Sequence, residues 1–115
     1  MQYILLGSGN DPEERMHEFE QEQLMEETSQ FVHSIVQSGH YRASARLESP
    51  EKGKTVLWSD NRFQIREGSE SSRPSVQFCY IVECSDMQEA LSIAGRIPLV
   101  RLGMEVEIRA VIPGQ

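Results

Sequence analysis

A chain of 115 residues is long enough to form one hydrophobic core without disulfides, so we expect a single domain over residues 1–115. No apolar run approaches the roughly 20 residues of a membrane span, and the N-terminus lacks the basic and then apolar pattern of a signal peptide. These features predict a cytoplasmic protein without a membrane partner.

The formal net charge of -7 is concentrated at the start of the chain. Residues 1–41 carry Arg15 as their one basic residue against eight acidic residues, which accounts for the whole imbalance. The acidic residues are Asp11, Glu13, Glu14, Glu18, Glu20, Glu22, Glu26 and Glu27. An acidic surface repels phosphate backbones, so nucleic acid is not an expected partner. The simplest interpretation of the cluster is a solvated helix face that keeps the protein soluble.

The first predicted elements are a short strand and a long helix. Residues 3–6 are apolar throughout, which is typical of a strand covered on both faces, and residues 7–10 are expected to form a loop. Asp11 can cap a helix with Pro12 in its first turn, and Glu14 stands where a capping box needs an acidic residue.

The apolar residues of this helix follow one broad stripe, and Gly39 marks its end. The stripe comprises Met16, Phe19, Leu24, Thr28, Phe31 and Ile35, widened by Met25, Val32 and Val36. We therefore expect about half of the helix surface to be buried.

The middle of the chain is predicted to form three strands. Residues 41–47 form the first of them. Residues 54–58 and 62–66 form a hairpin, because the Ser-Asp-Asn sequence at 59–61 favours a tight turn. Residues 67–75 are polar and contain a glycine and a proline, so we expect an exposed loop.

The last third of the chain reads as a strand, a helix and a strand. Residues 76–82 are largely apolar at both parities, as expected for a central strand. Ser85 and Gln88 have the spacing of a capping box at a helix start. The helix stripe comprises Met87, Ala90, Leu91 and Ala94, ending near Gly95 and Pro98. Residues 104–110 alternate between apolar and charged, which predicts an edge strand with one wet face.

This order of elements predicts an α+β, ferredoxin-like fold: an antiparallel sheet with two helices on one face and an inserted β-hairpin. The two strands that are apolar on both faces occupy the central positions of this topology. Since the helices cover only one face, the other apolar face needs a cover, which a second copy of the sheet can supply. We therefore expect a homodimer that pairs through its sheets.

The two cysteines predict free thiols and no metal centre. Cys79 and Cys84 lie five positions apart on or beside one strand, which separates their α carbons by roughly 16 Å. A disulfide needs less than about 7 Å. The histidines His17, His33 and His40 lack a nearby cysteine or a paired spacing, so we expect neither a zinc site nor a cofactor.

A series of short matches in order along the chain resembles the DGPF group of the YCII-related domain family. The matches are Met1 to Leu6, Pro12 to Arg15, Gly39, Arg46, Leu47, Pro50, Thr55, Val56, Tyr80 to Glu83, Asp86, Glu89, Ala90, Pro98, Gly103 and Val106 to Arg109. The resemblance covers nearly the whole chain. It implies a small homodimeric protein with the dimeric ferredoxin-like fold, in which the two sheets pair as a dimeric α+β barrel.

The chain departs from the family pattern at two places. Where the family carries Asp-Gly-Pro-Phe, residues 67–70 read Glu-Gly-Ser-Glu. The YCII branch has a histidine three residues after an arginine, whereas Arg15 and His17 are only two apart. The enzymatic His and Asp pair of that branch is therefore not carried over to this chain.

Two classes of function are compatible with the sequence. The first is a binding protein with a regulatory or accessory role, which senses a small ligand or contacts a protein partner. The alternative is an enzyme of the lyase, isomerase or monooxygenase kind that uses a cleft between helices and sheet. His17, His40 and Glu67 are its candidate acids or bases, and the catalytic residues stay open. No nucleophile elbow, phosphate-binding glycine loop or zinc spacing is present.

The candidate binding residues are Arg46, Glu67 and Arg73, with His17 as a further candidate. The hypothesis is that the first three border one polar cleft, where the arginines hold a carboxylate or similar anion. The expected ligand is accordingly small and anionic or polar. The simpler interpretation is a surface ion pair between Glu67 and one of the arginines.

Overall fold

The computed structural model describes residues 1–68 and 75–114. Within them the strands are β1 Gln2–Ser8, β2 Tyr41–Arg46, β3 Lys54–Ser59, β4 Arg62–Glu67, β5 Val76–Glu83 and β6 Glu105–Ala110. The helices are α1 Glu18–Gln37 and α2 Met87–Ala94, and short 3-10 turns cover Pro12–Arg15, Pro50–Lys52 and Pro98–Leu102. The predicted α+β class and the predicted order of elements are confirmed.

The main sheet has four strands in the order β2-β5-β1-β6, and every neighbouring pair is antiparallel. β1 and β5 are the central strands, as their apolar sequences predicted. β3 and β4 form a separate two-stranded sheet, which is the predicted hairpin. The architecture is therefore ferredoxin-like with an inserted hairpin.

One face of the main sheet carries both helices and the core. Alternate residues of the central strands, including Leu5 and Val82 at 0% exposure, pack beneath Ile35 of α1 and Ile93 of α2. The remaining core residues of this layer include Tyr3, Phe31, Phe78, Tyr80, Ala90, Ala94, Ile97 and Met104. The sequence pattern thus places its largest apolar side chains on a single side of the sheet.

The opposite face, which we call the open face, presents a second set of small and apolar side chains: Ile4, Leu6, Ala43, Ala45, Cys79 and Ile81. The strand register places these side chains next to one another. Ile4 on β1 pairs with Ile81 on β5, and Ile81 also pairs with Ala43 on β2. The chain is only 19 Å across its shortest dimension, which accommodates one sheet and one layer of helices. The open face therefore lies at the surface of the described chain.

The first strand is longer than predicted. Gly7 and Ser8 were expected in a loop, but both lie in β1, where Gly7 pairs with Phe78 on one side and Val106 on the other. The Phe78 ring lies directly over the Gly7 backbone, in the space that a Cβ would fill. The glycine is therefore used here for close packing and not for a turn.

The start and the burial of the first helix also differ from the prediction. Asp11 accepts a hydrogen bond from the Glu13 backbone amide at 2.9 Å, but it caps only the short 3-10 turn. The extended backbone of Met16 ends this turn, and α1 begins at Glu18. Of its 20 residues, Leu24, Phe31 and Ile35 are buried, so the expectation that half of the surface is covered is wrong.

The second helix begins at a different cap from the predicted one. Asp86, and not Ser85, accepts from the Glu89 backbone amide at 2.9 Å, while the Glu89 carboxylate accepts from the Ser85 backbone amide at 3.1 Å. The stripe is also rotated, because Ile93 is buried with Ala90 and Ala94, whereas Met87 and Leu91 are exposed. Aspartate and serine are both favoured N-cap residues, and here Asp86 holds the cap.

We predict that Asp86→Ala lowers the free energy of unfolding by about 1 kcal/mol, because the first turn of α2 loses the acceptor for an amide. Asp86→Asn is the matched control, since asparagine keeps an oxygen at the same place and should cost only a few tenths of that amount. Urea unfolding followed by circular dichroism measures both. Equal destabilisation by the two variants would contradict the assignment of Asp86 as the cap.

The hairpin turn follows the prediction closely. Asp60 and Asn61 have φ angles of 54° and 60°, and the flanking residues Ser59 and Arg62 pair directly. Two consecutive left-handed residues form the type I′ turn that matches the twist of a two-residue hairpin.

Both cysteines are free thiols, as their separation predicted.

Candidate functional site

A cavity of about 580 Å³ lies between α1 and the main sheet, beside the edge strand β2. The residues that line it are Glu13, Gln21, Leu24, Met25, Thr28, Ser29, Val32, Ser44, Ala45, Arg46, Phe78, Tyr80 and Leu99. Its volume falls within the range of about 300–1,000 Å³ that is usual for small-molecule sites. The α1 side contributes mixed apolar and polar side chains, and the sheet contributes aromatic rings.

Phe78 and Tyr80 line the sheet side of the cavity and form its floor. The Phe31 and Tyr80 rings meet edge to face at 5.4 Å between centroids, and Phe78 and Tyr80 do so at 5.8 Å. Such edge-to-face pairs favour fixed ring positions. Burial, and then the charge of Tyr41, raises the pKa of Tyr80, while Arg46 opposes the shift. The Tyr80 phenol therefore stays protonated at neutral pH and can donate a hydrogen bond.

The mouth of the cavity is charged. The Arg46 guanidinium lies 3.2 Å from the Glu13 carboxylate, and the arginine side chain is 68% exposed. Gln21 donates hydrogen bonds to the backbone carbonyls of Glu13 and Met16 at 3.0 and 3.2 Å, which ties the 3-10 turn to α1. An exposed ion pair of this kind contributes only about 0–1 kcal/mol. A ligand anion can therefore exchange with Glu13 for the guanidinium at small cost.

The structure places the sequence-predicted binding residues at separate points. Arg46 lines the cavity, but its ion-pair partner is Glu13. Glu67 ends β4 and pairs with Lys54 at 2.8 Å on the hairpin, and the cavity lining does not include it. His17 is exposed and precedes the first residue of α1, again outside the lining. Arg73 lies outside the described residues.

His40, a candidate acid or base, has partners that the sequence did not reveal. Its Nδ1 lies 2.6 Å from the Ser38 hydroxyl, and its Nε2 lies 3.0 Å from the Glu89 carboxylate. The contact joins the segment after α1 to the first turn of α2. None of these three side chains lines the cavity, so the arrangement serves as a link between the two helices.

We predict that Glu89 stabilises the fold in a pH-dependent way. The Ser85 backbone amide, followed by the His40 side chain, lowers the pKa of Glu89 from its ordinary value of 4.5. A lowered pKa means that the stabilisation is complete above about pH 4.5 and is lost as the pH falls through the folded-state value. Glu89→Gln should therefore flatten the decline of stability below that pH, as measured by urea unfolding across an acid series.

The control for this measurement is Gln88→Ala, at an exposed non-titrating residue of α2. It removes no carboxylate and should leave the acid dependence of the unfolding midpoint unchanged. NMR titration of the Glu89 side chain gives a direct reading of the same pKa. A value at or above 4.5 would contradict the prediction.

Arg46 is the one cavity residue that was predicted as a binding residue, through the family resemblance. The other lining residues were not predicted to form a site, although the sequence contains two signals of it. Met25 extends the apolar stripe of α1 beyond the residues that the core covers, and the aromatic residues of β5 share one parity. The contribution of Glu13 depends on the 3-10 turn that bends the chain before α1, and the sequence pattern did not predict that turn.

Within the described ranges, no three His, Cys, Asp or Glu side chains are grouped so that they could hold a metal ion. In the same ranges, no helix is long and apolar enough to cross a membrane. Comparison with protein-family models and with curated proteins finds no match to this chain.

Proposed function

We propose that this protein binds a small molecule that combines an apolar or aromatic body with an anionic group, in a regulatory or accessory role. The observation that carries the proposal is the 580 Å³ cavity with an aromatic floor and Arg46 at its mouth. An apolar pocket with a few convergent polar groups is the usual form of a small-molecule site. Arg46 would hold a carboxylate, and Tyr80 would donate a hydrogen bond within the cavity.

We also propose that the protein is a homodimer and belongs to the DGPF group. The open face supports a homodimer, because a sheet that buries only one of two apolar faces gains from burial of the other. A dimeric α+β barrel is the arrangement that the resemblance to the DGPF group of the YCII-related family implies. We propose membership of that family on the ordered matches along the chain, which are compatible with the ferredoxin-like strand order.

The ligand-binding proposal predicts the effect of Arg46→Ala. Loss of charge-assisted hydrogen bonds of about 1.5–3 kcal/mol should weaken binding of an aryl or alkyl carboxylate roughly tenfold to a hundredfold. The melting temperature should change little, because the Arg46–Glu13 pair is exposed. A panel of aryl and alkyl carboxylates is screened by thermal shift, and the strongest binder is then titrated by calorimetry.

Two further variants sharpen this test. Arg101→Ala removes a matched exposed arginine, whose pair with Glu27 spans 3.0 Å outside the cavity lining, and it should leave binding unchanged. Glu13→Gln frees Arg46 from its partner and should tighten binding. If no carboxylate binds, or if Arg46→Ala and Arg101→Ala behave alike, the proposed site is wrong.

A further inference from the structure

The hairpin carries a largely exposed apolar surface. Val56 pairs with Ile65 and Trp58 pairs with Phe63, so the four side chains share one side of the two-stranded sheet. Their exposures are 63%, 69%, 62% and 73% in that order, and the two rings meet edge to face at 5.0 Å. We call this surface the hairpin face. Contiguous exposed patches of large apolar residues mark interaction sites in soluble proteins.

The hairpin also projects from the body of the chain. Its strands pair with each other and not with the main sheet. The radius of gyration is 16.2 Å, against about 13 Å expected for a compact chain of this length. A two-stranded hairpin is only marginally stable alone in water. An ordered hairpin with this sequence therefore needs a surface that covers it.

The first helix presents a second surface that is exposed except at the half-buried Val32. Glu18, Glu22, Met25, Ser29, Val32 and Val36 recur at alternating spacings of four and three residues, and so follow one side of α1. We call this set the outer stripe. Met25 is 72% exposed and Val36 is 50% exposed, although the core begins one position away at Leu24 and Ile35. The outer stripe is therefore apolar in its second half and acidic in its first.

We propose that the hairpin face docks on the outer stripe of a second copy of this chain. The pairing is apolar on both sides. Within β3 and β4, the charged residues on the same side as the hairpin face are Lys54 and Glu67, and they pair with each other at 2.8 Å. The hairpin face therefore offers an apolar surface to the apolar half of the outer stripe. In a two-fold symmetric homodimer, this contact occurs twice.

The size of the contact is sufficient for a stable dimer. Trp58 and Phe63 present on the order of 300 Å² together. Two reciprocal contacts, counted on both surfaces, then bury roughly 1,200 Å² before Val56 and Ile65 are included, which reaches the range of stable interfaces. The open face adds to this area in the proposed homodimer.

The docked hairpin would also complete the candidate site. Met25, Ser29 and Val32 belong both to the outer stripe and to the cavity lining. A hairpin from the partner therefore covers the cavity mouth and adds aromatic side chains to the enclosure. The inference rests on the proposed homodimer and not on ligand binding, so it can fail while the Arg46 site stands.

Trp58 provides the test, because it is the single tryptophan of the chain. The full-length protein is diluted through its dimer dissociation, as followed by sedimentation velocity, and the emission of Trp58 is recorded in parallel. The expected result is a blue-shifted emission in the dimer that moves to the red on dilution, with the same midpoint as the sedimentation change.

Three variants locate the contact. Phe63→Asp on the hairpin face and Val36→Asp on the outer stripe should each weaken dimerisation at least tenfold and shift the Trp58 emission to the red. Ile112→Asp replaces a residue of matched exposure, 71%, beyond β6 and should do neither. Circular dichroism checks that each variant is folded. A mixture of the two interface variants should associate more strongly than either alone, since the heterodimer regains one unaltered contact.

Each alternative result overturns the proposal in a recognisable way. A dimer with water-exposed Trp58 emission would show that the hairpin faces solvent and that another surface forms the dimer. Blue-shifted emission that persists in the monomer would show that the hairpin folds onto its own chain. A protein that stays monomeric throughout would overturn both the hairpin contact and the homodimer.

Discussion

Aspartate in place of Ile81 is expected to leave the chain folded and to weaken the proposed homodimer at least a hundredfold. Ile81 lies at the centre of the open face, paired with Ile4 on β1 and Ala43 on β2. An unpaired carboxylate buried between two sheets costs roughly 3–5 kcal/mol, and every 1.4 kcal/mol is about a factor of ten. In the monomer the same side chain reaches water, so the fold itself should tolerate it.

Sedimentation velocity across a dilution series measures the dissociation constant. Leu91→Asp on α2, at a side chain that is 46% exposed on the helix side, is the matched control and should leave it unchanged. The prediction is independent of the hairpin, since Ile81 belongs to the main sheet. A homodimer that is equally stable with either aspartate would remove the open face from the interface.

The strands of the main sheet were predictable because a strand buried on both faces is apolar at every position, whereas a strand buried on one face alternates between apolar and polar residues. β1 and β5 are apolar at both parities and lie at the centre, while β6 alternates and lies at the edge. The tight turn at Asp60 and Asn61 was likewise local, since it depends on the conformational tolerance of two adjacent residues. The turn residues and the hydrophobic periodicity of the sequence were therefore enough to predict most of the fold.

The candidate site was less predictable because it depends on contacts between distant parts of the chain. Arg46 was expected to lie beside Glu67, but its ion-pair partner is Glu13, in a 3-10 turn 33 positions earlier in the sequence. The hydrophobic periodicity of the sequence does not show how deeply α1 packs against the sheet, so Met25 was expected to be buried. Because Met25 is exposed instead, it lines the cavity and belongs to the outer stripe.

The packing of Gly7 leads to the second large effect. We predict that Gly7→Ala lowers the free energy of unfolding by about 1–3 kcal/mol, because the new methyl group would overlap the Phe78 ring. The ring cannot move freely, since it is 4% exposed and packs edge to face on Tyr80. Glycine is usually unfavourable in a strand, so the direction of this effect is opposite to the one that strand propensity alone would give.

A double-mutant cycle tests the cause of this destabilisation. Phe78→Leu shortens the side chain over Gly7, and in that background Gly7→Ala should cost much less than it does alone, since the methyl then has room. Urea unfolding of the four proteins gives the coupling energy, which for residues in direct contact is typically about 0.5–3 kcal/mol. Ser8→Ala, at the next position of β1, is the control and should couple weakly to Phe78→Leu. If the cost of Gly7→Ala were the same in both backgrounds, overlap with the Phe78 ring would not be its cause, and the strand backbone itself would have to reject the alanine.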